Sequence, residues 1–354
     1  MRILFLSDAA TYHTSRWVNY FVDRGHQCFL ITLDEGFKTK AEEFFLRTKT
    51  LPDFLRYPLS LGKIRKIAAK IEPDLINAHF VPNYGLIGAL LKFHPLVIST
   101  WGSDVLISPG KSFLHKFRTK YVLSRADLVT ADAEVTAQAV CKLGVERGKV
   151  FVSPMGVERD LLGQQEMKEK PYLLVLSNRK LEPLYDVATL LRVVPRVKKE
   201  VQREVRFVIL GEGSQKDRLA GMAQELKVEK SGEFKGVVSR ETLLNYYRQS
   251  DIYVSTSRSD STSVSLLEAM NFGSIPIVTD IPGNREWIED QNNGFLFPTS
   301  DHEALAEKII HVTNEFSRWT EFRAKNEAVI RNRAAWEDNM RNIEDRFQTL
   351  VSRD

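Results

Sequence analysis

The chain has 354 residues, a mass of 40.5 kDa, 43% hydrophobic and 27% charged residues, which fits about two soluble domains and excludes long disorder. No run of 18 apolar residues exists, because the most apolar stretch, 84–100, is broken by Lys92, His94 and Pro95; this argues against a membrane span. The net charge of +4 divides unevenly: residues 1–157 carry 21 Lys/Arg against 14 Asp/Glu, and residues 158–354 carry 29 against 32, so the first half is the one suited to an anionic partner.

The opening run, Met1-Arg-Ile-Leu-Phe-Leu-Ser-Asp8, is charged too early for a secretory signal and reads as a first strand. Further apolar, β-branched runs follow at 27–33, 74–80, 96–100, 128–131 and 149–153. Helical patterns lie near 14–24, 61–71, 84–92, 112–124 and 134–143. Such runs suit strands buried on both faces of a parallel sheet, with helical crossovers. Residues 153–170 break the alternation with Pro154, Gly156, Gly163 and a polar tract, the composition of a linker. Strand runs resume at 171–177, 205–210, 232–235, 252–255, 275–279 and 294–297. Helical patterns fall near 186–203, 214–227, 239–249, 263–272 and 301–312, and helix formers fill 336–351. The expected fold class is α/β: two doubly wound, Rossmann-like domains in tandem, with the site in the cleft they face.

Several absences narrow the chemistry. No G-x-G-x-x-G follows the first strand, no P-loop appears, and there is no G-x-S-x-G elbow. No D-x-D pair and no H-E-x-x-H set offers a metal. Cys28 and Cys141 are the only cysteines, too few for a disulfide framework or a four-ligand zinc site, which fits a cytosolic protein.

The most informative segment runs from Ser255 to Asp280. A strand ends, a polar loop containing Asp260, Ser261 and Thr262 follows, a helix starts near Ser263 with Val264 and Glu268 in it, and a new strand begins at Ile275. Ser261, Thr262 and Ser263 are good helix N-caps, and the first turn offers free N–H groups and a positive dipole end to an anion.

This stretch resembles the acidic-x7-Glu motif of the retaining glycosyltransferases of family 4, which have the GT-B fold. Other stretches agree: Phe207-Val-Ile-Leu-Gly-Glu-Gly213, Phe234-Lys-Gly-Val237, Ser250-Asp-Ile-Tyr-Val-Ser-Thr-Ser257, Pro282-Gly-Asn-Arg-Glu-Trp-Ile288, Asn293-Gly294, Trp101-Gly-Ser-Asp104 and Ser153-Pro-Met-Gly-Val-Glu158. The resemblance implies transfer of a sugar from a nucleoside-diphosphate sugar without a bound metal or other cofactor, the sugar nucleotide being a substrate, UDP-linked rather than GDP-linked. Glu268 is then expected at the ribose, Asp260 at the sugar hydroxyls, and Thr262, Ser263 and Val264 around the diphosphate. Val237 is expected at the base, and Arg179, with Lys180 as its alternate, on the diphosphate as a planar fork.

Four departures from the family pattern stand out, one being that the glycine-rich turn after the first strand is absent, the sequence there running Ala10-Thr-Tyr-His-Thr-Ser-Arg-Trp17. Asp260 replaces the more usual Glu. Tyr185 occupies the place of a second cation, a Lys. Trp101 stands where many members have a catalytic His, and chains with Trp-Gly-Ser-Asp resemble a branch of their own. The candidates for catalysis are therefore Asp260 and Arg179 together with Asp104 and His79. His13, Ser15, Arg16 and Trp101 are candidates for phosphate or acceptor contacts. The competing expectations are a catalytically inactive GT-B subunit that binds a glycan or a partner, or a GT-B sugar-nucleotide epimerase.

The domain division expected is 1–157 plus about 336–354 on the acceptor side, a linker at 158–170, and a sugar-nucleotide domain at 171–335. The return of the tail follows from a stripe of Trp336, Met340, Ile343, Phe347 and Leu350 at helical spacing, which must dock somewhere. The segment 111–125 has five cations, no acid, and Phe113, Leu114, Phe117, Tyr121 and Val122 at helical spacing. It reads either as a basic-faced helix packed on the sheet or as a peripheral contact with the inner face of an anionic membrane. The acceptor expected is a glycan, a lipid-linked sugar or a small molecule, with no nucleic acid.

Overall fold

The computed structural model describes residues 1–47, 52–164, 170–229 and 232–352. It divides into two units, Met1–Pro154 with Asp338–Asp354, and Met155–Glu337.

The first unit holds seven parallel strands: β1 (Arg2–Leu6), β2 (Gln27–Thr32), β3 (Glu42–Phe45), β4 (Leu75–His79), β5 (Leu96–Thr100), β6 (Leu128–Ala131) and β7 (Val150–Val152). Their order across the sheet is β3-β2-β1-β4-β5-β6-β7. The second unit holds six: β8 (Tyr172–Asn178), β9 (Glu204–Leu210), β10 (Gly232–Gly236), β11 (Ile252–Ser255), β12 (Ile275–Thr279) and β13 (Phe295–Phe297). They are ordered β10-β9-β8-β11-β12-β13. Helices connect the strands, and the central strands are buried along their whole length, as parallel sheets covered on both faces require. The expected α/β class with two doubly wound sheets is observed. In each sheet the winding reverses once, between β1 and β4 and between β8 and β11. Open α/β sheets bind ligands beyond the strand ends at such reversals.

Three elements differ from the sequence reading. Strand β3, Glu-Glu-Phe-Phe, lies at the sheet edge and is mostly exposed, so no buried apolar run announces it. The helix expected at 61–71 begins at Asp53 and carries Pro58 inside it. The helix Thr320–Arg333 is polar, and it buries Arg323 and Asn326 beside Phe322 and Ile330. Those two polar side chains bond the carbonyls of Gly273 and Asn293, contacts that hydropathy does not report.

The linker expected at 158–170 is in its first part built into the second unit. Val157 exchanges backbone hydrogen bonds with Ala334 and Trp336 (2.7 and 2.8 Å), Leu161 is buried, and Asn271 donates to its carbonyl at 2.8 Å. Residues 165–169 lie outside the described residues.

The helix Trp336–Val351 supplies the first unit with part of its core. Met340, Ile343 and Phe347 are buried, and Phe347 stacks on Phe21 with ring centroids 5.3 Å apart. Glu344, also buried, gathers Tyr20 Oη and Arg24 Nε (both 3.0 Å) and His26 Nε2 (2.8 Å). These partners hold its carboxyl below the usual range against the upward pull of burial.

Candidate active site

In the second unit, the reversal between β8 and β11 places Arg179, the residue after β8, beside the loop that follows β11. Arg179 donates to Asp260 Oδ2 at 2.5 Å and to Ser263 Oγ at 2.6 Å. Ser263 is the N-cap of the Val264–Asn271 helix and also accepts from Leu266 N at 3.3 Å. The Arg179 side chain is 9% exposed and that of Asp260 16%. Burial opposes the guanidinium charge, but Asp260 holds it firmly protonated. Burial pushes the Asp260 carboxyl up, with Arg179 and the Ser261 N–H pulling it back. A nearly buried cation therefore sits at the positive end of a helix, the arrangement an anion seeks.

The loop is held from below. Thr262 Oγ1 accepts from Trp287 Nε1 at 3.3 Å. Gly283 passes so close that a Cβ there would lie 2.4 to 2.5 Å from the carbonyl oxygens of Ser261 and Asp260. Gly211, at φ +123°, approaches the Arg179 carbonyl in the same way, at 2.3 Å; a side chain at either position would displace the site.

Glu268 is buried in the same helix and pairs with Arg240 Nη1 at 2.6 Å, while Arg240 Nη2 reaches Glu158 at 3.2 Å. Arg240 was not singled out from the sequence: it opens the helix Arg240–Gln249, 28 positions before Glu268, and no spacing rule links the two. Tyr185, which replaces the expected Lys, lies with its ring centroid 4.4 Å from Arg179 Cζ. It supplies an aromatic face to the cation in place of a second charge. Lys180 and Val237 are exposed, Val237 by 77%, and Val264 begins the helix. The structure thus places Arg179 at the end of β8, Asp260 and Thr262 in the loop after β11, and Ser263, Val264 and Glu268 at and in the helix that follows.

In the first unit, the reversal between β1 and β4 carries an aromatic cluster. His79 ends β4, is 2% exposed and bonds Asn77 Oδ1 through Nε2 at 2.9 Å. Its ring lies 5.2 Å from Trp17 and 5.4 Å from Trp101, and His13 stacks on Trp101 at 5.9 Å. Burial lowers the His79 pKa to about 3, so the ring is neutral at physiological pH. Asp104 is fully buried. It accepts from Val81 N (3.1 Å) and Trp101 N (3.0 Å), and burial raises its pKa to about 6 against those donors. It thereby ties the turns after β4 and β5, the first of which holds Phe80 at φ +68°. Ser15 is buried and bonds the Tyr12 carbonyl at 3.0 Å, and Arg16 is buried on the same helix. His13, Ser15, Arg16, His79, Trp101 and Asp104 thus all lie at this end of the sheet.

Among the described residues, no three His, Cys, Asp or Glu side chains gather as a metal site. No helix there is long and apolar enough to cross a membrane.

Residues 158–328 match the family model of glycosyl transferases group 1, and residues 2–133 that of the glycosyl transferase 4-like domain. The chain is 29% identical over 190 residues to the UDP-N-acetylglucosamine–peptide N-acetylglucosaminyltransferase GtfA subunit of Streptococcus pneumoniae, a match covering 51% of this chain and 37% of the relative. It is 30% identical over 152 residues to the poly(ribitol-phosphate) alpha-N-acetylglucosaminyltransferase of Staphylococcus aureus, covering 43% and 29%. The chain thus spans well under half the length of these two curated relatives. The crystal structure of Anabaena HepE in complex with UDP superposes with a TM-score of 0.80 at 20% identity, covering 99% of this chain and all of that one. The two glycosyl transferase models lie in tandem, one on each unit, and the fold of the chain is GT-B.

Proposed function

We propose that this chain is a retaining, metal-independent glycosyltransferase of family 4, in the branch with Trp-Gly-Ser-Asp. It moves a sugar from a UDP-sugar, rather than a GDP-sugar, to a glycan, lipid-linked or small-molecule acceptor. The observation that carries this reading is the Arg179 fork, held between Asp260 and the N-cap Ser263 at the start of the helix that bears Glu268. On donor binding the diphosphate takes the guanidinium and the N–H groups at the start of the helix, Ser263 and Val264. Asp260 is then released to the sugar hydroxyls, and Glu268 holds the ribose. The charge that develops on the leaving diphosphate meets a fixed cation and a helix dipole, which need no reorganisation as the bond breaks. Names of relatives with UDP-N-acetylglucosamine as donor, and a similar fold solved with UDP, support the choice of nucleotide.

The test is a panel of UDP- and GDP-sugars with release of nucleoside diphosphate as the readout, run with and without EDTA, and with the product anomer read by NMR. Glu268→Ala should weaken UDP binding by roughly tenfold to a hundredfold, the scale of a lost charged hydrogen bond. Asp260→Ala should mainly lower turnover of the intact donor. Unchanged UDP affinity in a folded Glu268→Ala protein would remove Glu268 from the ribose, and turnover that EDTA abolishes would overturn metal independence.

A further inference from the structure

The helix Phe113–Ser124 has two faces with different fates. Thr119, Val122 and Leu123 face the core and are buried. On the opposite side Phe113, Leu114 and Phe117 are 85%, 72% and 61% exposed. Phe113 and Phe117 stand one turn apart, so the three side chains form one protruding apolar knob. Single exposed apolar residues need no explanation, but a cluster of two phenylalanines and a leucine does.

The surroundings of the knob are cationic and lack acids. Lys111, Lys116 and Lys120 are exposed beside it. The helix packs against the turns Phe80–Gly85 and Ser108–Gly110 and the helix Leu86–Leu91. From residue 80 to residue 125 there are six Lys/Arg and a single acid, Asp104, and Asp104 is fully buried. No exposed carboxylate on these elements offsets the positive charge.

We infer that this face docks on an anionic lipid bilayer, with Phe113, Leu114 and Phe117 entering the headgroup region and Lys111, Lys116 and Lys120 lying over the phosphates. An exposed apolar knob with exposed lysines around it suits a diffuse negative surface that yields to apolar insertion. It is poorly suited to a protein groove with fixed partners. The inference does not rest on sugar transfer.

Flotation of the full chain with phosphatidylcholine vesicles, alone or mixed with phosphatidylglycerol, tests it. The expected result is binding to the mixed vesicles only, weakened by salt. The triple change Phe113→Ser, Leu114→Ser, Phe117→Ser should lower that binding at least about tenfold. The triple change Lys111→Gln, Lys116→Gln, Lys120→Gln should lower it on the order of a hundredfold. Because all six side chains face solvent, both variants should keep the wild-type melting temperature, which is the check on folding. Absence of flotation with mixed vesicles overturns the inference. So does binding that survives the serine changes but not the glutamine ones, which would mark a site for a soluble polyanion. A dimer of the wild-type chain that the serine changes dissociate, without vesicle binding, would assign the knob to a second copy and also refute it.

Discussion

The pair Glu268–Arg240 offers a sharp test of how the site is held. The Glu268 side chain is 4% exposed and that of Arg240 31%, with 2.6 Å between the charged atoms. A charge-assisted hydrogen bond of this kind contributes about 1.5–3 kcal/mol, and partial exposure of the arginine moves the figure toward the lower end, about 1.5–2 kcal/mol. Arg240→Ala also removes the contact with Glu158, so it should cost more than Glu268→Gln. A double-mutant cycle with urea unfolding isolates the pair, with an expected coupling of at least about 1 kcal/mol. Titration with UDP adds a functional readout: if Arg240 orients the Glu268 carboxylate, Arg240→Ala should weaken UDP binding by about tenfold. Additive unfolding energies together with unchanged UDP affinity would refute the positioning role. A gain in UDP affinity would show that Arg240 competes with the ribose.

Three further outcomes follow from the geometry. Tyr185→Phe keeps the ring over Arg179 and should leave turnover within about twofold, whereas Tyr185→Ala should lower it by roughly tenfold, the size of a desolvated cation–π contact, as read by steady-state kinetics. His79 is neutral in the fold down to about pH 3, while an unfolded His takes up a proton below about 6.5; its contribution to stability is full above that value and is lost as pH falls. At pH 5 the loss is about 2 kcal/mol, and His79→Asn should flatten the acid limb of the urea stability profile by that amount. Phe347→Ala should destabilise the first unit by about 3–5 kcal/mol, visible in thermal melts, while Leu350→Ala, at a half-buried position, should cost less.

What the sequence revealed and what it concealed divide along a physical line. Asp260, Ser263 and Glu268 lie in one continuous strand–loop–helix, so the motif that carries the family resemblance could be recognised in the sequence, and it is the resemblance that implies their roles. The central strands were equally readable, because burial on both faces leaves an unbroken apolar run. Arg240 was hidden because its partner lies on a different helix, and a surface arginine and a pairing arginine look alike in sequence. Tyr185 read as the loss of a cation; only its distance to Arg179 shows it as a support for one. The knob at Phe113 could not be separated from core packing until Val122 and Leu123 were seen to fill the core position and the two phenylalanines were not.

The route of the chain has a consequence for biosynthesis. The first unit is left open after Pro154 and is completed only by residues from Asp338 onward, which bring Glu344 to Tyr20, Arg24 and His26, and Phe347 to Phe21. On the ribosome, therefore, the segment made first cannot finish its core until after residues 155–337, a contiguous unit, have emerged and become able to fold. The nascent first sheet must wait with Phe21 and its neighbours uncovered, an interval in which chaperone binding or aggregation competes with closure. The buried Glu344 cluster favours one register of that closure, since a shift of the helix would part a buried carboxylate from the donors that satisfy it.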